Sequence, residues 1–152
     1  MTAPDSLATV LTLLDNNWNT SNTDSKKPTF NKITDLKTVD YRNNQDFIFA
    51  LRATQEVEPA GIGLANKHEF DFFKLDIRTI GSDQEQHWLN VQEEVKRILQ
   101  DKKVNPLTNA SLPAISISIV EYDGTGIDLS NKTHHLWRII VPVQMLKYNV
   151  SR

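Results

Sequence analysis

The stretch Ser82–Asp101, with the sequence SDQEQHWLNVQEEVKRILQD, decides the fold of this chain. Its apolar side chains recur at the spacing of one helix face, and polar side chains fill the positions between them. The apolar stripe consists of Trp88, Val91, Val95, Ile98 and Leu99. We predict a helix over Ser82–Asp101, with Ser82 as its N-cap and Glu85 completing a capping box.

Strand patterns lie on both sides of this helix. The residues of His68–Ile80 alternate between an apolar and a charged face. The apolar face carries Phe73, Leu75 and Ile77, and the charged face carries Lys74, Asp76 and Arg78. After the helix, Ala114–Tyr122 and His135–Tyr148 alternate in the same way. Pro142 cannot donate a ladder hydrogen bond, so we predict that the last strand lies at a sheet edge or that position 142 faces away from its neighbour.

The first half of the chain predicts one more helix and two more strands. The helix is indicated by apolar residues at helical spacing, which are Leu7, Val10, Leu11, Leu14 and Trp18. The polar segment Asn19–Pro28 predicts an exposed, mobile loop. Phe30–Tyr41 predicts a short strand, and Asp46–Thr54 predicts a strand with Phe47, Phe49 and Leu51 on one face.

A long loop is predicted over Gln55–Lys67, because this segment contains Pro59, Gly61 and Gly63. The strand that follows is long enough to reach beyond the core, so residues of about 55–72 are expected to form a loop or hairpin arm. The order α, β, β, β, α, β, β predicts one α+β domain over residues 1–152. Its sheet is expected to be mixed, mostly antiparallel, and covered by helices on one face.

Composition excludes several classes of function. The chain has 152 residues, 17 basic and 19 acidic side chains, a net charge of −2 and no cysteine. The absence of cysteine excludes disulfides and zinc–thiolate sites. The balanced charge lacks the basic stripe that is typical of nucleic-acid-binding domains. No apolar run approaches the roughly 18–20 residues of a membrane span, and the first residues do not predict a secretory signal.

The search for catalytic residues gives one pattern to weigh. Asp76 on a strand, followed by Glu94 and Lys96, is similar to the Asp…Glu-x-Lys set of metal-dependent nucleases. That chemistry needs the Glu and Lys on one strand face, whereas on a helix they would point about 200° apart. The four histidines have no metal-ligand spacing and are interpreted as surface or packing residues. We therefore predict no catalytic, cofactor-binding or metal-binding residues.

The same residues favour assembly with other subunits. Adjacent exposed aromatic residues in a soluble chain suggest a partner, and Phe70 and Phe72 fall on the charged strand face. That face is either a subunit contact or a solvated surface. The long loop and the Asp123–His135 connection supply further candidates. The predicted interface residues are Glu56, Glu58, Ile62, Leu64, Phe70, Phe72, Lys74, Asp76, Arg78, Asp128 and Lys132.

Three segments in this order resemble a known family. They are Leu75–Thr79 (LDIRT), Glu94–Leu99 (EVKRIL) and Leu136–Val143 (LWRIIVPV). Together they resemble the tail-terminator or tail-completion (neck) proteins of tailed viruses, particularly those of archaeal viruses. The resemblance covers residues of about 70–148, which is about half of the chain, and its motifs are structural.

The resemblance implies a small α+β subunit with a sheet packed by two helices. It implies a homo-oligomeric ring, commonly a hexamer, that caps the tail tube and joins it to the neck of the virion after synthesis in the host cytoplasm. The implied partners are the tail tube protein and a neck or connector protein, with genomic DNA passing through unbound and no membrane or cofactor involved. A neck or connector protein, and a nuclease-like enzyme of another class, stay as alternatives.

Overall fold

The computed structural model describes residues 6–33, 45–59, 66–101, 117–122 and 126–151. Within these ranges the chain forms two α-helices and six β-strands, together with short 3₁₀ turns at Thr20–Asn22 and Lys132–His134. The helices are α1 (Ser6–Asn17) and α2 (Glu85–Asp101). The strands are β1 (Thr29–Lys32), β2 (Asp46–Pro59), β3 (Asn66–Ile80), β4 (Ile117–Tyr122), β5 (Ile127–Asp128) and β6 (Leu136–Ser151).

The six strands form one mixed sheet. Its order is β1-β2-β3-β6-β4, and β5 pairs with β6 on the same side as β4. Strand β1 runs parallel to β2, and all other pairs are antiparallel. The prediction of an α+β fold with a mixed, mostly antiparallel sheet is therefore confirmed. No described helix is long and apolar enough to cross a membrane.

Both helices pack against one face of this sheet, here called the helix face. Its fully buried strand residues are Ile48, Ala50, Phe73, Leu75, Ile77, Val141, Val143 and Met145. The apolar stripe of α2 and the residues Leu7, Val10, Leu11, Leu13 and Leu14 of α1 complete the core. Because side chains alternate along a strand, the intervening residues lie on the other side, here called the opposite face. Phe47, Phe49 and Leu51 share that opposite face, as their spacing predicted.

The N-cap of helix α2 lies two residues later than the sequence predicted. The first intrahelical bond runs from the Trp88 N–H to the Gln84 carbonyl, so Gln84 and not Ser82 occupies the N-cap position. The chain first makes a tight turn, in which Gly81 has φ 142° and Asp83 has φ 57°. A positive φ of 142° favours glycine, and the Gly81 N–H also donates to the His135 carbonyl at the start of β6. This turn displaces the helix start.

Strands β2 and β3 replace most of the loop that was predicted over Gln55–Lys67. They pair from Asp46↔Thr79 to Pro59↔Lys67, with one irregularity between Arg52 and Thr54. Strand β3 has 15 residues and so spans about 50 Å, whereas the 17 residues of α2 span about 26 Å. The sheet is therefore longer than the helix that covers it. The described core ends near Phe73 and Met145.

Strand β6 lies inside the sheet, so of the two alternatives predicted for Pro142 the edge position was wrong. It pairs with β3 on one side, including Lys74↔Pro142, and with β4 and β5 on the other. On that second side β4 ends opposite Val143 and β5 begins opposite Ile140. Within the described strands, Pro142 thus falls at the break between β4 and β5, where a residue without an N–H removes no bond to them.

Several predicted segments lie partly outside the described residues. The strand predicted over Phe30–Tyr41 is observed as β1, and its continuation beyond Ile33 is not among the described residues. Residues 60–65, which include Ile62 and Leu64, residues 114–116 before β4, and residues 123–125 of the Asp123–His135 connection also lie outside the described residues.

Truncation of the α2 stripe tests the core. Leu99 is fully buried, so we expect Leu99→Ala to lower the free energy of unfolding by about 2–5 kcal/mol through lost burial and a residual cavity. The matched control is Leu89→Ala on the same helix, where Leu89 is 41% exposed and the expected change is within about 0.5 kcal/mol. Urea unfolding followed by circular dichroism measures both. Equal losses would show that α2 does not cover the sheet as described.

Candidate functional site

The charged face of β3 is the first candidate site, and the structure changes its interpretation. Lys74, Asp76 and Arg78 share the opposite face of the sheet, as the alternation predicted, and Lys74 is exposed. Asp76 and Arg78, however, are almost completely buried within the chain. Neither a solvated surface nor an exposed subunit contact describes these two residues. The expectation that they contact another subunit is therefore corrected.

Asp76 is the centre of a buried ion cluster that joins β3 to β6. Its Oδ2 accepts a hydrogen bond from Arg78 Nη2 at 2.6 Å and another from Arg138 Nη2 at 2.9 Å. Arg138 Nε also donates to Oδ1 at 3.0 Å, which makes the Arg138 contact bidentate. Arg78 and Arg138 occupy directly opposed positions of the two strands. One carboxylate therefore binds two guanidinium groups.

Aromatic side chains on β2 enclose this cluster. The Arg78 guanidinium lies over the Phe49 ring, with 5.0 Å between its central carbon and the ring centroid. Phe47 and Phe49 stack with 5.4 Å between their centroids. Phe47, Ile80 and Leu136 form a small apolar cluster beside them. In such a site of low polarity, removal of one partner of an ion pair leaves an uncompensated buried charge.

Glu94 on α2 has a comparable structural role. Its side chain is fully buried, and Arg97 one turn later donates to it through Nε and Nη2. The Asn19 amide at 2.7 Å and the Asn22 side chain at 3.1 Å also donate to Glu94. Burial raises the pKa of the Glu94 carboxyl, but the bonds from Arg97, Asn19 and Asn22 outweigh burial and hold its pKa below the ordinary value.

These contacts separate the residues of the nuclease-like pattern. Glu94 is buried, while Lys96 is exposed on the other side of α2 and pairs with Glu93 at 3.2 Å. Their divergence on a helix confirms the geometry that the sequence predicted. Asp76 is bound by two arginines on the opposite face of the sheet. Among the described residues, no group of three histidine, aspartate or glutamate side chains is placed to hold a metal ion.

A third network involves His87, which sequence reasoning had interpreted as a surface or packing residue. His87 is buried, and its Nδ1 lies 2.7 Å from Asp24 Oδ2 while its Nε2 lies 2.6 Å from Asp46 Oδ2. Thr79 Oγ1 donates to the other oxygen of Asp46 at 2.9 Å. Each ring nitrogen of His87 therefore lies within hydrogen-bond distance of one carboxylate. The hydrogen bond from His87 lowers the pKa of the Asp24 carboxyl.

The Asn19–Pro28 segment is therefore attached to α2 at two points, which are Glu94 and His87. Within the segment, Thr23 is buried, accepts from Trp18 Nε1 and donates to the Lys26 carbonyl. The partners of His87 lie 63 and 41 residues away in the sequence. No local pattern could have indicated these contacts.

The remaining predicted interface residues are spread over the sheet. Phe70 and Phe72 are half-buried on the opposite face of β3. Glu56 and Glu58 belong to β2, in a part where side chains are not described. Asp128 is exposed and accepts from the Ser130 amide at 2.8 Å. Lys132 is exposed, with its Nζ 5.9 Å from the centroid of the Trp137 ring.

An exposed apolar pair, with one residue on β5 and the other directly after it, was missed by sequence reasoning. Ile127 is 60% exposed and Leu129 is 43% exposed, and Leu89 is the third large apolar side chain in this state among the described residues. Ile127 lies opposite Ile140, and the Leu129 N–H donates to the Arg138 carbonyl, which places this pair at the outer margin of the sheet. The alternation Ile127-Asp128-Leu129 was the available signal, but the segment is too short to predict a strand.

The fold defines an α+β protein with a mixed sheet under two helices. No protein-family model and no curated protein sequence matches this chain. Among solved structures, the fold is similar to that of a chain in the virion of a native gene transfer agent (GTA) particle. The two chains share 9% sequence identity, with a TM-score of 0.51 over 95% of each chain. At this identity the likeness concerns the fold alone.

The ion cluster can be tested by removing one charge. We expect Asp76→Asn to lower the free energy of unfolding by about 3–5 kcal/mol, because Arg78 and Arg138 would then lack a buried counter-ion. Asp128→Asn removes a charge from an exposed strand position and is expected to change stability by no more than about 0.5 kcal/mol. Chemical denaturation measures both variants. A neutral effect of Asp76→Asn would contradict the described ion pairs.

The lowered pKa of Glu94 predicts how stability depends on pH. A carboxyl with a lowered pKa in the folded state contributes stability above its ordinary value of 4.5, and this contribution is lost as the pH falls through the folded-state pKa. We expect Glu94→Gln to destabilise the protein at neutral pH and the difference from the wild type to shrink below pH 4.5. Glu93→Gln, at an exposed position, provides the control. A difference that is independent of pH between 7 and 3 would argue against an ionised, paired Glu94.

Proposed function

We propose that this chain is a structural subunit of a tailed virus or of a related particle, and that several copies form a ring capping the tail tube. The observation that carries this proposal is the likeness of fold, over 95% of both chains, to a chain of a gene transfer agent virion. The resemblance of the segments around Leu75, Glu94 and Leu136 to tail-terminator proteins points to the same class. The ring would contact the tail tube on one side and the neck on the other.

The charge distribution is compatible with this role. A ring in the path of the genome has to let DNA pass, and strong contacts from lysine and arginine to phosphates would retain it. The net charge is −2, and the arginines at positions 78, 97 and 138 are engaged by carboxylates of their own chain. Their charge stabilises the subunit and is not directed at a ligand.

A neck or connector protein of the same virion is the neighbouring alternative. Both roles require a small subunit that contacts itself in a ring and different proteins above and below. The resemblance covers tail-terminator and tail-completion (neck) proteins together, so it does not separate the two roles. The two roles differ in what the ring binds: a terminator binds the end of a tail tube, whereas a connector binds head and neck components.

The nuclease alternative is disfavoured by the geometry of its carboxylates. Asp76 is bound by Arg78 and Arg138, and Glu94 is bound by Arg97 and the Asn19–Asn22 segment. Both buried ion networks would have to open before these oxygens could bind a metal ion. This would cost several kcal/mol for each uncompensated charge. We therefore propose a structural rather than a catalytic role.

The proposed function predicts a ring of several copies. Analytical ultracentrifugation of the purified chain is expected to show a species of several subunit masses, and negative-stain imaging should show closed rings. Addition of purified tail tube protein should place the ring at tube ends and stop further tube growth. A chain that stays monomeric alone and with tubes would contradict the proposal. Divalent-metal-dependent cleavage of DNA that is lost in Asp76→Ala would support the nuclease instead.

A further inference from the structure

The two outer edges of the sheet are formed by different strands. One edge is β1, a short strand parallel to β2, and the other consists of β4 and β5 beside β6. Among the described residues, no strand pairs with the outer side of either edge. Backbone groups at a sheet edge are a template for pairing with another chain, unless proline, charge or a covering element blocks them.

The β5 part of the second edge carries exposed apolar side chains on both sides of one charged residue. Ile127 and Leu129 are exposed on it, and they flank Asp128. The Leu129 and Asn131 N–H groups donate to the carbonyls of Arg138 and Leu136, so these residues direct their backbone towards β6. By alternation, the backbone of Asp128 points outward from the sheet. This edge therefore offers outward-pointing backbone groups between two exposed apolar side chains.

The two edges carry side chains of opposite charge. Lys26 precedes β1 and Lys32 ends it, while Lys27 pairs with Asp15 of its own chain. Asp128 is exposed on β5, at the other edge. Complementary charge favours contact between unlike edges, and like charges oppose contact between two identical edges.

Strand direction is also compatible with a contact between unlike edges. Strands β4 and β5 run antiparallel to β6, and β6 runs in the same direction as β2 and therefore as β1. In a ring whose axis is roughly parallel to the strands, each copy keeps its strand directions. The β4–β5 edge of one copy then meets β1 of the next in antiparallel orientation, which is the common pairing between strands.

We propose that copies of this chain join head to tail by this contact, with the β4–β5 edge of one copy against the β1 edge of the next. This inference rests on the proposed function and names the interface that builds the ring. Ile127 and Leu129 are its apolar anchors. The contact uses two different surfaces of each subunit, as a cyclic assembly of more than two copies requires.

The anchor residue Leu129 can be tested against a matched control, Leu89 on α2. Leu129 is 43% exposed and Leu89 is 41% exposed, so Leu129→Lys and Leu89→Lys add the same charge at equally accessible positions. We expect Leu129→Lys to shift the concentration at which half of the chain is assembled upward by tenfold or more. Leu89→Lys on α2 should leave this concentration within about twofold, because half-exposed surface positions contribute little outside an interface. Sedimentation over a concentration series measures both.

Cross-linking tests which edges meet. The chain has no cysteine, and positions 31 and 127 are exposed on opposite edges, separated by β2, β3 and β6. Four strand spacings amount to about 19 Å, too far for a disulfide within one copy. Asn31→Cys combined with Ile127→Cys, oxidised so that cysteines in direct contact form disulfides, is expected to give a ladder of dimers, trimers and larger covalent species. Each single variant can give dimers at most, and Asn31→Cys with Leu89→Cys is the control for random collision.

The outcomes separate this inference from the proposed function. Rings that persist in Leu129→Lys, together with no ladder beyond that of the control pair, would overturn the edge contact while leaving a ring protein. A ladder in the Asn31/Ile127 pair together with weakened assembly in Leu129→Lys supports the contact. A wild-type chain that stays monomeric alone and on tubes contradicts both. Two-fold dimers joined through position 127 alone would show that identical edges meet and would also overturn the inference.

Discussion

Strand β3 pairs along its length with β2 on one side and β6 on the other, and this pairing is the constraint on which the rest of the structure depends. A slip of one residue would move Leu75 and Ile77 from under α2 and place Asp76 and Arg78 in the apolar core. The opposite face selects the same register, because Arg138 reaches Asp76 only when it lies beside Arg78. An apolar and an ionic interaction, on different faces, therefore specify one alignment.

The sequence predicted the faces of the strands better than it predicted what covers them. Period-two alternation correctly grouped Phe73 with Leu75 and Ile77, and helical spacing found both helices and the α2 stripe. Burial on the opposite face depends on residues far along the chain: Arg138 lies 62 residues from Asp76. Alternation alone could not distinguish a charged face that is solvated from one that forms ion pairs. The contacts of His87 could not be predicted either, because its partners also lie far along the chain. The start of α2 was predicted too early because the Gly81–Asp83 turn precedes it.

Three of the buried carboxylates among the described residues share one property that bears on function. Asp76, Glu94 and Asp46 each accept a hydrogen bond from a group on another element, and each joins two parts of the fold. Catalytic carboxylates instead face a cleft with at least one oxygen available to a ligand. In these three networks, charged and polar contacts hold elements of the fold together.

The asymmetry of the sheet edges decides which assemblies are favourable. Two copies related by a two-fold axis at the β4–β5 edge would bring Asp128 near its own counterpart, and a two-fold contact at β1 would do the same for the lysines. Like charges oppose both arrangements. Edge pairing within one copy is excluded, because β2, β3 and β6 separate the edges. Contact between unlike edges would form hydrogen bonds with the outward-pointing backbone groups, bury Ile127 and Leu129 and pair opposite charges. In an open row of subunits, however, one sheet edge at each end would stay without a partner. Only closure into a ring removes both free ends, so the features that make an isolated subunit prone to association also favour a closed assembly.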